Sequence, residues 1–152
     1  MSLEAGEDPG APRATFPRAR RLKRRRLIRP LFQRTASDVR RVRVGAVRVL
    51  YRLVPRADTG LDTPVQVGFA PGRTRTKVER NRLRRAMRET FRQHQAPLLR
   101  QLASRPTETL TMFILVQSRD ARAVDAIRQD LPRALATVSN RIEGASDAAS
   151  TP

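Results

Sequence analysis

The chain has 152 residues and no cysteine, and 32 basic against 14 acidic side chains leave it a net charge of +18. That length suits one domain with a real but modest core, and the missing cysteines exclude disulfides and thiolate-bound zinc and suit a reducing interior. No apolar run approaches the ~20 residues of a membrane span, and an N-terminus with Glu4, Glu7 and Asp8 and no apolar stretch argues against a secretory or transit peptide, so a cytoplasmic location is expected.

So large a like-charge excess opposes compaction and is best tolerated where an anionic partner neutralises it. Nucleic acid, an anionic membrane and an acidic protein all meet that need. Every basic residue except Lys23 and Lys77 is Arg. A planar guanidinium pairs two-pronged with phosphate and stacks on bases, which favours nucleic acid, and RNA in particular.

Residues 1–17, with Pro9, Pro12 and Pro17 among Gly and Ala, are expected to be disordered, and so is the tail EGASDAASTP at 143–152. The domain is then 18–142. In ARRLKRRRLIRPLFQR (19–34) a basic run becomes a short helix, with Leu27, Ile28, Leu31 and Phe32 on one apolar face. Pro30 is tolerable only in a first turn, so that helix should start near Leu27 to Arg29.

GAVRVLYRLV (45–54) alternates, with Val47, Val49, Tyr51 and Leu53 on one side and Arg48 and Arg52 on the other. That is strand periodicity. PRADTGLDTP (55–64) reads as a loop, and VQVGFA (65–70) alternates again before Pro71 and Gly72. The pair is expected to form an antiparallel hairpin with a long loop.

Thr76 and Glu79 make a T-x-x-E capping box, so a helix should begin at Lys77 and run to about Gln95, ahead of Pro97. LTMFILVQ (110–117) is apolar on both faces and reads as an interior strand. Val124, Ile127, Leu131, Leu135, Val138 and Ile142 then recur at helical spacing, with Pro132 expected to kink or restart the closing helix. The order is helix, two or three strands, helix, strand, helix: an α+β fold, one sheet with helices on it.

On a helical wheel of ~100° per residue, Leu83, Ala86, Met87, Thr90, Phe91 and His94 share one side of the 77–95 helix. Asn81, Arg84, Arg85, Arg88 and Arg92 share the other, with Arg80 and Arg82 on the flanks. A merely solvated face usually mixes signs in i,i+4 pairs. Here Glu89 is the only acid past the first turn, and Arg84, Arg88 and Arg92 repel one another. The stripe calls for a polyanion.

The residue order is more specific than the charge. RNRLRRAMRETFR (80–92) closely resembles the R-N-R-x-K-R-x-x-R-E-x-[FY]-R signature of the bacterial ribonuclease P protein component. RLKRRRLIRPLF resembles that family's first basic segment and helix, VRVLYRLV and VQVGFA its two main strands, and MFILVQ the strand after the signature helix. The resemblance covers about residues 20–142 in order.

That resemblance implies a single four-stranded sheet with three helices in the order α-β-β-β-α-β-α and a left-handed β-α-β crossover, against the usual handedness. It implies removal of 5′ leaders from precursor tRNA by a holoenzyme whose RNA subunit is the catalyst. The protein would bind no cofactor of its own, Mg2+ would enter through the RNA, and one protein would pair with one RNA. Carried over by position, Arg80, Asn81, Arg82, Arg84 and Arg85 would face the catalytic RNA, with Arg88 and Arg92 continuing the stripe and Lys77 opening it. Phe32 and Tyr51 match aromatic positions of a leader cleft between the first helix and the sheet, where stacking is worth ~1–3 kcal/mol per base. Ile28 stands where an aromatic is common. APGRTRT (70–76) replaces the family's Ser-Lys-Lys or Ser-Lys-Arg segment, leaving Arg73 and Arg75 to supply its charge.

Other classes are less well supported. Acid–base or two-metal hydrolysis needs carboxylates or histidines converging on one site. The single histidine, His94, is expected packed or at the edge of its helix. Asp58 and Asp62 fall in a loop, and Asp120, Asp125 and Asp130 read as helix-start and surface acids. For Phe32 and Tyr51 a plain core role is the competing reading. A general RNA-binding protein, ribosomal or chaperone, would share the charge but needs no Arg-Asn-Arg helix, and a strand after the basic helix is not a helix-turn-helix.

Overall fold

The computed structural model describes residues 17–72, 76–117 and 122–150, with side chains through 144. Four strands form one mixed sheet: β1 (Arg40–Val44), β2 (Val47–Pro55), β3 (Val65–Ala70) and β4 (Glu108–Val116), in the spatial order β1-β2-β4-β3. β1 pairs antiparallel with β2, β2 antiparallel with β4, and β3 parallel with β4.

The expected 45–54/65–70 hairpin does not exist, because β4 lies between its two members. β4 is apolar on both faces and takes an inner place with partners on either side, Leu50 and Gly68 both standing opposite Phe113. The hairpin is β1–β2 instead. It turns through Gly45 and Ala46, with Gly45 at φ 56° and Ala46 not in the left-handed region, the residue pattern that favours tight hairpins. The Asp130 carboxylate accepts the Ala46 N–H at 3.3 Å and fastens that turn.

Alternation along the strands divides the interior in two. Val42, Val47, Val49, Tyr51, Val65, Val67, Leu110, Met112, Ile114 and Val116 point to one face. There they meet α3 (Lys77–His94), α4 (Ala96–Leu102) and α5 (Ala123–Ser150) in the main core. Leu50, Phe113 and Leu115 point to the other and pack with Leu22, Leu27, Leu31 and Val39 in a smaller cluster. That cluster lies under α1 (Arg25–Ile28) and the 3-10 turn Arg29–Phe32 that continues it.

The helices outnumber the three expected. α1 begins at Arg25, ahead of the expected start, and tightens to 3-10 at Arg29, placing Pro30 in the first turn of the second piece where its missing N–H costs least. A one-turn helix, α2 (Arg56–Thr59), occupies the loop after β2 and ends on Gly60 at φ 70°. Pro97 starts α4 rather than merely following α3, and buries Leu98 and Leu102 in the main core. Pro132 neither ends nor restarts α5. Leu131, Ala134, Leu135 and Val138 are buried on both sides of it, so packing holds the helix through the lost bond. Among the described side chains the last buried is Ile142, while the helical backbone continues to Ser150.

Candidate nucleic-acid interface

α3 is started by its cap and oriented by its buried side. The Glu79 N–H donates to the Thr76 hydroxyl at 3.1 Å, satisfying one of the unpaired donors of the first turn. Leu83, Met87, Thr90 and Phe91 are buried, and the Phe91 ring meets Phe69 of β3 edge to face at 6.1 Å. Burying that side fixes where the other points. Lys77, Arg80, Asn81, Arg82, Arg85 and Arg92 are exposed, and Arg84 and Arg88 half-buried.

Little on the helix offsets this charge. Glu89 pairs with Arg92, one helical turn on, and that hydrogen bond, with the carboxylate's charge, raises the Arg92 guanidinium above its ordinary value. Arg88 is held below its own, first by burial and then by the charges of Arg21 and Arg84. Arg73 and Arg75, expected to extend the stripe, lie outside the described residues, as does Asp120. His94 is exposed at the end of α3, at the edge rather than packed, and lines a shallow groove with Ala86, Glu89 and Arg128.

The three residues of the expected leader cleft are not brought together. Phe32 is 48% exposed, the outermost member of the α1 layer. Ile28, half-buried, packs against the small cluster beneath it. Tyr51 is 4% exposed and belongs to the main core, across the sheet. Alternation on β2 forces the separation: Leu50 points under α1, so Tyr51 cannot. Its hydroxyl is buried with no hydrogen-bond partner among the described residues, and it lines a different cavity of about 520 Å3 together with Arg40, Leu53 and Arg141.

The aromatic that does accompany Phe32 is Phe113. Their ring centroids are 5.2 Å apart at 70°, an edge-to-face pair. Gly68 makes room for it: a Cβ there would meet the Phe113 ring at 2.5 Å. Arg43 and Arg48 stand directly opposite each other across β1–β2 on this same face, and Arg41 opposes Leu50. Like charges directly opposed destabilise a hairpin, so this pair also favours an anion over the sheet. Sequence reading missed Phe113 because LTMFILVQ is apolar at both parities. The glycine opposite it in VQVGFA was the available signal.

Two of the acids are held in ion pairs. Asp62 pairs with Arg56 at 3.2 Å and Asp38 with Arg52 at 3.1 Å. Among the described residues no three of His, Cys, Asp and Glu gather as metal ligands, and no helix is long and apolar enough to cross a membrane.

A basic, outward-facing helix of this kind, backed by a four-stranded mixed sheet, agrees with a family comparison in which the model for ribonuclease P matches residues 16–143. The chain belongs to the ribonuclease P protein family. It is a protein component of the ribonuclease P ribonucleoprotein endoribonuclease, with a role in maturing the 5′ end of tRNA. Membership implies association with ribonuclease P RNA and precursor tRNA. No curated protein and no solved structure matches the chain.

Proposed function

We propose that this ribonuclease P protein docks on its RNA through the outward side of α3 and holds the 5′ leader on the α1 face of the sheet. The observation that carries the reading is the stripe itself: Arg80, Asn81, Arg82, Arg84, Arg85, Arg88 and Arg92 on one helix whose opposite side is fully engaged in the core. Lys77 opens the stripe, and Arg73 and Arg75, which precede it in the sequence, would add their charge to it. Guanidinium groups fixed on a rigid helix pair two-pronged with phosphates. Sequence-independent affinity of this kind falls with salt as counterions are released.

Phe32, Phe113 and Ile28 form the leader platform, bordered by Arg41, Arg43 and Arg48. A π-face with cations beside it suits single-stranded RNA of varied sequence. Tyr51 supports this platform from the far side of the sheet rather than joining it. Catalysis resides in the RNA and in the Mg2+ the RNA carries, one protein serves one RNA, and the complex works in the cytoplasm. The β3–α3–α4–β4 unit has the left-handed crossover of the family.

Reconstitution tests the reading. Adding the protein to a bacterial ribonuclease P RNA at low magnesium should restore leader cleavage that the RNA alone performs poorly there. No stimulation by folded protein would refute the assigned role, and leader cleavage by rigorously RNA-free protein would refute RNA catalysis.

A further inference from the structure

The charge on α3 does not stop at the edge of its own helix. Arg82, Arg85 and Glu89 of α3 and Asp125 and Arg128 of α5 line one groove of about 380 Å3. Past Glu89 and Arg128 it runs on, through about 310 Å3 more, to Gln93 and His94. From Arg82 to His94 the α3 wall is ~18 Å long at ~1.5 Å per residue. Helix geometry explains the grouping. Arg82, Arg85 and Glu89 follow one another along one edge of α3, and Asp125 and Arg128 along one edge of α5. Leu83 and Met87 of α3 and Ile127 and Leu131 of α5 share the main core beneath, which holds the two edges side by side.

The charges in this groove are not settled inside the protein. Arg82, Arg85 and Arg128 are exposed, and none of them forms an ion pair among the described residues. Glu89 turns to Arg92 and Gln93. Asp125 lies in the first turn of α5, where an acid stabilises the helix itself. Three guanidiniums therefore stand against one remaining carboxylate, on a concave surface whose protein walls focus the field.

We propose that the RNA interface extends from α3 across this groove onto α5, with Arg128 contacting the phosphate backbone of ribonuclease P RNA beside Arg82 and Arg85. The inference rests on the docking role proposed above for α3. A convex helix meets an RNA backbone along a line. A groove of this length admits a short run of that backbone and offers its phosphates cations from both walls. A merely solvated arginine has no need of such a place, and α5 supplies the comparison. Arg133 is exposed on the same helix, but lies ~140° around the axis from Arg128 and does not line the groove.

The full chain would be titrated with ribonuclease P RNA by filter binding across a salt series, with melting temperatures taken in parallel. The proteins compared are wild type, Arg128→Gln, Arg128→Lys, Arg133→Gln and Arg84→Ala/Arg85→Ala/Arg88→Ala. Arg128→Gln should lower the log–log salt slope by ~0.7–0.9, the loss of one phosphate contact. Arg128→Lys, which keeps the charge, should keep the slope. Arg133→Gln removes the same charge from the same helix away from the groove, and should leave the slope at the wild-type value. Both positions are exposed, so the single variants should melt like wild type. Equal slopes for Arg128→Gln and Arg133→Gln would overturn the proposal, whether both fall through net charge or neither falls. Equal losses in Arg128→Gln and Arg128→Lys would overturn it too, since a packing defect and not a lost cation would then be at work. If the triple variant alone lowers the slope, the RNA stops at α3 and only the groove is refuted. If no variant lowers it, the docking role of α3 fails as well.

Discussion

The outward side of α3 and the α1 face of the sheet are both rich in arginine, yet they differ in what stands between the charges. On α3 the spaces hold Asn81 and more arginine, on a convex helix with an apolar underside. On the sheet, Arg41, Arg43 and Arg48 share the face that carries an aromatic pair, Phe32 and Phe113. Charge without π-faces recognises phosphates held in a fixed shape, as on folded RNA. Charge with π-faces recognises bases that are free to stack, as on a single strand. On the proposed reading, a folded RNA and a flexible leader are met by these two surfaces on different elements.

Breaking that division starts inside the protein. Phe91→Ala removes the fully buried anchor of α3 and should cost ~3–5 kcal/mol of stability in urea unfolding, whereas alanine at Arg85 should cost ~0.5 kcal/mol or less. Comparable losses at both positions would mean the stripe is structural. Phe32→Ala tests the other surface. With its ring half in solvent it should barely affect folding, yet weaken binding of leader-bearing precursor tRNA to the holoenzyme by ~1–3 kcal/mol. Mature tRNA, which has no leader, should bind as before; equal losses for both would move the leader elsewhere.

Gly68→Ala sharpens the same point from beneath. The new methyl must displace the Phe113 ring, so it should cost ~1–3 kcal/mol of stability and perturb precursor binding more than mature tRNA binding. The smallest effect is expected at Tyr51. Tyr51→Phe deletes a buried hydroxyl with no partner among the described residues, so stability should hold or rise by ~1 kcal/mol. Discrimination between precursor and mature tRNA should not change. A loss of leader affinity in that variant would place Tyr51 back on the leader's path.

Where the sequence speaks through period and cap, the structure follows it. Thr76 and Glu79 start α3 where expected, and Leu83, Met87 and Phe91 bury the expected side. The stripe was legible because helix geometry alone decides which residues share a face. Pairing was not, since periodicity places a strand's faces but not its neighbours. The β1–β2 turn through Gly45 and the insertion of β4 are choices among compatible partners. β1 itself, RRVRV, has only Val42 and Val44 as apolar positions, too few to stand out. Tyr51 shows a related limit: a match to a family position does not say which face of β2 a residue takes, and here Tyr51 lies in the main core while its neighbour Leu50 faces α1. α4 hid behind Pro97, which reads as a stop but serves equally as a start.

The outward arginines of α3 are proposed to dock the protein on its RNA. The most direct test is the salt dependence of ribonuclease P RNA binding by the Arg84→Ala/Arg85→Ala/Arg88→Ala variant, with circular dichroism confirming its fold. Loss of three phosphate contacts should flatten the log–log slope by ~2–3 relative to wild type, with melting behaviour nearly unchanged. A folded variant with the wild-type slope would contradict the account.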